Sequence, residues 1–197
     1  MLAGCDGGSD PAAVTGPTGL EGEGTLQVTV ETTGRDLDET GYDIKGAFGV
    51  RHLADDDAFT LEHVPAIRQR LYIADVAFNC KVSGDVVKYV DVPADGMAQL
   101  DFPVTCFENG ILRVNTTLMG THPVMASIGV YNAVGQVVAG TGPSFNSTVS
   151  IRVPPGELTV SVGGLASYDG RRCASDSTHV QMPEAGDLLV DLNLDCR

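Results

Sequence analysis

Tryptophan is absent from this 197-residue chain, and Phe, Tyr and Trp together make up only 6% of it. The five tyrosines, Tyr42, Tyr72, Tyr89, Tyr131 and Tyr168, are scattered. The sequence therefore presents no clustered aromatic platform for a sugar ring, and Tyr42 and Tyr72 read as packing residues. Lysine is confined to Lys45, Lys81 and Lys88. The histidines, His52, His63, His122 and His179, have no H-x-x-x-H spacing, and no HExxH occurs. A nucleophile elbow, a P-loop and a G-x-G-x-x-G are all missing; Gly142-Pro143-Ser144 is only a turn. These absences remove the common signatures of metalloproteases, serine hydrolases and nucleotide-binding enzymes. The chain reads as non-enzymatic, with no cofactor. Positive charge is also scarce, 12 Lys and Arg against 26 Asp and Glu, for a net charge of -14. So acidic a surface repels phosphate backbones and argues against nucleic acid as a partner.

Glycine and proline are plentiful, 24 and 10 residues, which suits short strands separated by turns. At about 100–150 residues per domain, the length allows one large domain or two small ones. The acid is unevenly spread, with nets of -4, -8 and -2 over residues 1–23, 24–108 and 109–197. The chain opens Met1-Leu2-Ala3-Gly4-Cys5, and Leu-Ala-Gly-Cys resembles a bacterial lipobox. In such signals the cysteine becomes the first residue and carries lipid, so Cys5 is the expected lipidation site. The basic and apolar stretches of an export signal do not precede it in the sequence, which points to a start further upstream. Asp6, directly after the cysteine, leaves the choice of inner or outer membrane open. Residues 6–23 are rich in Gly, Pro and acid with no apolar period, as in a flexible tether.

Beyond Cys5 there are four cysteines, Cys80, Cys106, Cys173 and Cys196, two in each half, and none forms C-x-x-C. That spacing disfavours structural zinc and suits one disulfide per half. Four cysteines allow three connectivities. Cys106 and Cys196 fall on matching alternating runs, and this parity favours Cys80–Cys106 with Cys173–Cys196; cross-pairing such as Cys106–Cys173 is the competitor.

The halves are related. Gly24-Thr25-Leu26-Gln27-Val28 aligns with Gly110-Ile111-Leu112-Arg113-Val114, and Gly34 then falls on Gly120. Val64-Pro65 aligns with Val153-Pro154, and Leu71 and Ile73 with Val160 and Val162. At the ends, Leu100, Phe102, Val104 and Cys106 match Val190, Leu192, Leu194 and Cys196. A repeat this long is a whole domain rather than a solenoid unit. Clean period-two alternation in the final runs predicts half-buried antiparallel strands with their cysteines on the core face. Phe78, Cys80 and Val82 alternate likewise. Strands are predicted at 25–31, 42–49, 57–62, 68–76, 79–83, 86–92 and 97–105, then 111–118, 124–131, 147–153, 157–163, 178–181 and 187–194. No stretch carries a capped helical period. The fold class is all-β: two tandem Greek-key-type antiparallel β-sandwich domains, 24–108 and 109–197, each with one disulfide, after the remnant 1–5 and the tether 6–23.

The first half reads G-T-L-x-V-x-V, then Asp36-x-Asp38-x-x-Gly41-Tyr42, Val64-Pro65, Asn79-Cys80 and F-x-V-x-C. This arrangement resembles the repeats of bacterial lipoproteins that are similar to transthyretin-like, carboxypeptidase-regulatory-like sandwiches. The second half lacks the Asp-Leu-Asp segment and the Asn-Cys pair. The resemblance implies a non-catalytic, extracytoplasmic protein of the bacterial cell envelope, held to the membrane by its N-terminal lipid, with an interaction or scaffolding role. Some sandwiches of surface adhesins carry Lys–Asn isopeptide staples; the second half has no lysine, so disulfides would do that work. The partner, protein or carbohydrate, is not specified. An alternative is a small-ligand module for carbohydrate or Ca²⁺. For the cation, Asp36 and Asp38 on one loop and Asp55 and Asp57 on another are candidates, although their spacing is not that of an EF-hand.

Overall fold

The computed structural model describes residues 22–120, 123–142, 145–167 and 173–196. Cys5, His122, Tyr168 and residues 6–21 of the expected tether lie outside them. The described residues hold sixteen strands and no helix. The first eight are β1 (Glu23–Gly34), β2 (Tyr42–Gly46), β3 (Gly49–Leu53), β4 (Ala58–Pro65), β5 (Arg68–Ala74), β6 (Cys80–Val82), β7 (Val87–Asp91) and β8 (Met97–Cys106). The second eight are β9 (Gly110–Gly120), β10 (Pro123–Asn132), β11 (Val137–Thr141), β12 (Ser147–Val153), β13 (Gly156–Ser167), β14 (Ala174–Ser175), β15 (Ser177–Met182) and β16 (Asp187–Cys196).

Four four-stranded sheets result, β4-β1-β8-β6 with β3-β2-β5-β7, and β12-β9-β16-β14 with β11-β10-β13-β15. Adding eight to each label of the first pair gives the second pair. The internal repeat is thus a strand-for-strand repeat of topology. Its alternating apolar residues fill the space between the sheets, as period two requires. In the first sandwich Leu26, Val28 and Val30 of β1 and Phe102 and Val104 of β8 meet Tyr42, Ile44, Leu71 and Ile73 from the other sheet, all buried. Leu112, Val114, Leu192 and Leu194 face Ile128, Val130, Leu158 and Val160 in the second. Complete burial of each such side chain contributes about 1.5–3 kcal/mol.

Several predicted strands are corrected. The run 42–49 is a hairpin, β2 and β3, turning at Ala47-Phe48. β11 and β14 were not predicted, so each sandwich has eight strands rather than six or seven. β11 is set by a tight turn in which the Asn132 side-chain Oδ1 accepts the backbone N–H of Val134 at 3.2 Å and of Gln136 at 2.9 Å. Phe78 precedes β6 and is exposed, so the inward alternation begins at Cys80.

The terminal strands also differ from the simplest reading. β8 is antiparallel to β6 but parallel to β1, from Thr25 opposite Met97 to Gly34 opposite Cys106. β16 is likewise parallel to β9. Every other pairing is antiparallel. Because first and last strands run the same way, the chain enters each sandwich at one end and leaves at the other.

The entry end is built alike in both repeats. Pro93-Ala94-Asp95-Gly96 and Pro183-Glu184-Ala185-Gly186 are turns whose third residues have φ of 54° and 52°. Each final carbonyl accepts the N–H of the residue after the repeat's first glycine, Thr25 and Ile111, at 2.8 Å. A Cβ on Gly24 would lie 2.2 Å from the Pro93 carbonyl oxygen, and on Gly110 2.8 Å from that of Gly186. Close approach of backbone explains why both repeats open on glycine.

The disulfides join Cys80 to Cys106 and Cys173 to Cys196, with Cα atoms 3.9 and 4.3 Å apart. Pairing is within each repeat. Each bridge joins neighbouring segments of a single sheet: Cys80 is the direct cross-strand partner of Cys106, and Cys173 immediately precedes β14, which pairs with β16. Each pins a very short edge strand, β6 or β14, to the terminal strand of its repeat.

Candidate functional site

β8 and β9 are separated by three residues, Phe107, Glu108 and Asn109, and the motif residues of the first repeat converge on them. Gly34 ends β1 beside Cys106, and Asp36 follows in a left-handed conformation at φ 48°. The Asp36 carboxylate accepts the Asn109 backbone N–H at 2.8 Å, its side-chain Nδ2–H at 3.3 Å and the Arg152 guanidinium at 2.6 Å. Arg152 belongs to β12 of the second sandwich. Asn79 donates its side-chain amide to the carbonyls of Asp36 at 2.7 Å and Phe107 at 3.0 Å, while its own carbonyl accepts the Phe107 N–H at 2.8 Å. Glu108 completes the seam. Its N–H reaches the Glu184 carboxylate at 3.2 Å, its carbonyl accepts from Ala185 at 3.1 Å and its carboxylate pairs with Arg35 at 2.8 Å. All three linker N–H groups are therefore bonded, which holds the connection in one conformation.

Asp38 serves the same loop from inside. It is buried, and its carboxylate accepts the Thr40 N–H at 3.1 Å, the Thr40 hydroxyl at 2.6 Å and the Ala77 N–H at 2.8 Å. D-x-D and Asn-Cys thus form one constellation. Asp38 shapes the loop, Asp36 and Asn79 bind the linker, and Cys80 closes the disulfide behind them. A small cavity of about 290 Å³, lined by Asp36, Asp38, Glu39, Asn79, Asn109 and Arg152, opens over it. Sequence reasoning found Asp36, Asp38, Asn79 and Cys80 but missed Asn109, Glu108 and Arg152. No local pattern marks those three; only the stacking of one repeat on the next brings them in.

The other cation candidates sit on the 55–57 loop. Asp57 accepts the Ala58 N–H at 2.8 Å, and its carbonyl receives the Val30 N–H at 2.9 Å. The neighbouring Asp56 carboxylate takes the Thr32 N–H at 2.7 Å. Asp55 stands against the Tyr42 hydroxyl, and its Oδ1 is buried with no partner among the described residues. Burial, aided by Asp55, pushes the Tyr42 hydroxyl up to about 12, so it stays protonated and accepts from the Thr32 hydroxyl at 3.1 Å. Among the described residues no group of three or more His, Cys, Asp or Glu is arranged to hold a metal. The carboxylates of the two acidic loops are spent largely on backbone donors instead.

The three described histidines have separate partners. His52 contacts Asp43 at 3.2 Å, His63 contacts Glu23 at 2.7 Å and His179 contacts the Thr159 hydroxyl at 2.9 Å. The His63 pair lies in an open cavity of about 570 Å³ with Glu62 and Asp95, and both partners are largely exposed. It has neither a serine or cysteine nucleophile in its lining nor the water exclusion that base chemistry uses.

The Asn109 N–H and the Arg152 guanidinium hold the Asp36 carboxyl below its ordinary value of 3.8. A lowered folded value means that its contribution is complete above the ordinary value and is lost as pH falls through the lower one. Residual dipolar couplings should therefore report one fixed orientation of the two sandwiches from neutral pH to about pH 4, with loosening only below. Asp36→Ala should loosen the orientation at neutral pH. Couplings identical to those of the parent protein would refute this role.

No family model matches the chain, and no curated protein is similar to it in sequence. Solved structures are similar to it to different degrees. A streptococcal ancillary pilin superposes with a TM-score of 0.57 at 10% identity, over 88% of this chain and 63% of that one. The minor pilin GBS52 of Streptococcus agalactiae gives 0.46 at 10% identity, over 86% of this chain and 95% of that one. The Bacillus anthracis TIE protein gives 0.36 at 15% identity over 88% of this chain, which spans only 34% of that protein's chain. These neighbours include pilins of Gram-positive bacteria, and what the ancillary pilin shares with this chain is the architecture of two tandem all-β domains.

Proposed function

We propose that this chain is a non-catalytic module of a bacterial cell envelope. It is anchored by lipid on Cys5, and its tandem transthyretin-like sandwiches act as a stiff spacer. The observation that carries this reading is the seam at 107–109, where every linker N–H is bonded and Asp36 ties β12 of one sandwich to the loop of the other. Parallel terminal strands add the right geometry, since entry and exit lie at opposite ends and the sandwiches follow one another along an axis. Strands of ten to twelve residues such as β1 and β8 rise about 3.3 Å per residue, so each sandwich adds about 30–40 Å of reach. Disulfides in both repeats suit an oxidising, extracytoplasmic compartment. A streptococcal ancillary pilin shares the fold, and by that analogy alone it supports a surface role.

Lipid anchoring is tested separately from the spacer. Expressed in a bacterium from its full upstream reading frame, the protein should enter the detergent phase and incorporate labelled fatty acid. Cys5→Ser should abolish both, because stable anchoring takes more than one acyl chain and all of them depend on that cysteine. Equal labelling of the serine variant would sink the lipoprotein reading and leave the spacer geometry untouched.

A further inference from the structure

The outer face of the β3-β2-β5-β7 sheet carries a cluster of positive charge and tyrosines in an otherwise acidic set of described residues. Arg68, Arg70 and Tyr72 alternate outward along β5, and Tyr89 stands opposite Arg70 on β7. Lys45 on β2 pairs with Tyr72 from the other side. A groove of about 590 Å³ crosses β3, β2 and β5, lined by Lys45, Val50, Ile67, Arg68, Arg70 and Tyr72. In it lie three of the chain's 12 Lys and Arg residues. Tyr72, read from sequence as a packing residue, is 36% exposed, and Tyr89 is 54% exposed.

The arginines are held in an unusual way. Neither Arg68 nor Arg70 has a carboxylate within ion-pair distance among the described residues, although Asp91 is the cross-strand partner of Arg68. Rings support them instead. The Arg68 guanidinium lies 5.2 Å from the Tyr89 centroid, and that of Arg70 lies 5.9 Å from the Tyr72 centroid, with the Lys45 ammonium 6.0 Å from the same ring. Asp43, a second carboxylate on this face, is taken by His52 and Lys45. A guanidinium braced on an aromatic face keeps its in-plane N–H fork free for an oxyanion and loses little side-chain entropy on binding.

We infer that this groove binds a carboxylate-bearing polysaccharide, with Arg68 and Arg70 on the carboxylates and Tyr72, Ile67 and Val50 under the sugar rings. The charge is complementary, and among the described residues the field of the surrounding acid favours this face for an anionic polymer. The groove runs across the strands on the sheet face rather than along an edge. An acidic peptide would gain no backbone pairing there, whereas a chain of rings needs none. This inference does not rest on the lipid anchor.

Titration of the full chain with hexagalacturonate, followed by amide chemical shifts, should perturb β2, β5 and β7 of the first sandwich. The double variant Arg68→Ala/Arg70→Ala should weaken binding about tenfold or more through loss of charge-assisted hydrogen bonds. Tyr72→Ala should weaken it about threefold by removing the brace, and Lys81→Ala, on the other sheet, should leave it unchanged. All four positions are at the surface, and an unchanged thermal midpoint shows that the variants fold. A neutral hexasaccharide should not bind. The inference is overturned if hexagalacturonate does not bind, if the double variant binds equally well, or if hexaglutamate or single-stranded DNA binds as tightly as the sugar.

Discussion

Replacing Cys80 and Cys106 together by alanine is expected to lower the stability of the first sandwich by about 3–3.5 kcal/mol. Closing a loop of this size removes that much conformational freedom from the denatured chain in the loop-entropy picture. Cys173→Ala/Cys196→Ala should do the same to the second sandwich, because its bridge spans 23 residues against 26. The structure adds a local consequence. β6 has three residues and β14 two, too few to hold their places by ladder hydrogen bonds alone. Without its bridge each should fray and uncover the edge of β8 or β16, a template for intermolecular pairing. Urea unfolding of each variant, with light scattering to follow aggregation, checks both effects. Shifts below about 1 kcal/mol would show that the edge strands stand unaided. Non-reducing peptide mapping tests the pairing itself, and a Cys106–Cys173 peptide would overturn it.

Gly34→Ala should cost about 2–4 kcal/mol, from backbone strain combined with steric overlap. Gly34 has φ of 109°, and a Cβ there would sit 1.9 Å from the Cys106 carbonyl oxygen. That oxygen accepts the Arg35 N–H at 3.0 Å, so it cannot retreat without breaking the start of the Asp36 loop. The substitution therefore strikes β1, the disulfide and the seam at once. Gly49 separates the two contributions. Its φ is 94° but nothing lies within 4 Å of its Cβ position. Gly49→Ala should cost only the conformational part, about 1 kcal/mol. Equal urea midpoints for the two variants would show that the Cys106 contact adds nothing.

Gly120 ends β9 as Gly34 ends β1, with φ of 98° and opposite the last cysteine of its repeat. The shared glycine was visible in sequence as an aligned pair. Its reason was not, because the carbonyl it must approach lies on a strand about seventy residues away. The resemblance between the halves told which residues correspond; the parallel pairing of first and last strands explains why they do.

Period-two alternation, turn-forming Gly and Pro and the internal repeat determined by themselves that this is a tandem all-β protein. They also placed Phe102, Val104 and Cys106, with their counterparts Leu192, Leu194 and Cys196, on core faces. These features are local, and burial rewards the same alternation whatever a strand's neighbour. Parity of Cys106 and Cys196 favoured the within-repeat disulfides for the same reason. The direction of neighbouring strands was not legible, because an alternating strand reads alike in parallel and antiparallel pairs. The role of Asp36 was equally hidden. As a sequence, Asp-Leu-Asp is an acidic turn that could face water, a cation or a partner. Only the tertiary structure brings Asn109 and Arg152 to it, and it also turns Arg68, Arg70 and Tyr72 to one outer face. Contacts between residues far apart in the chain carry no local period, so nothing in the sequence announces them.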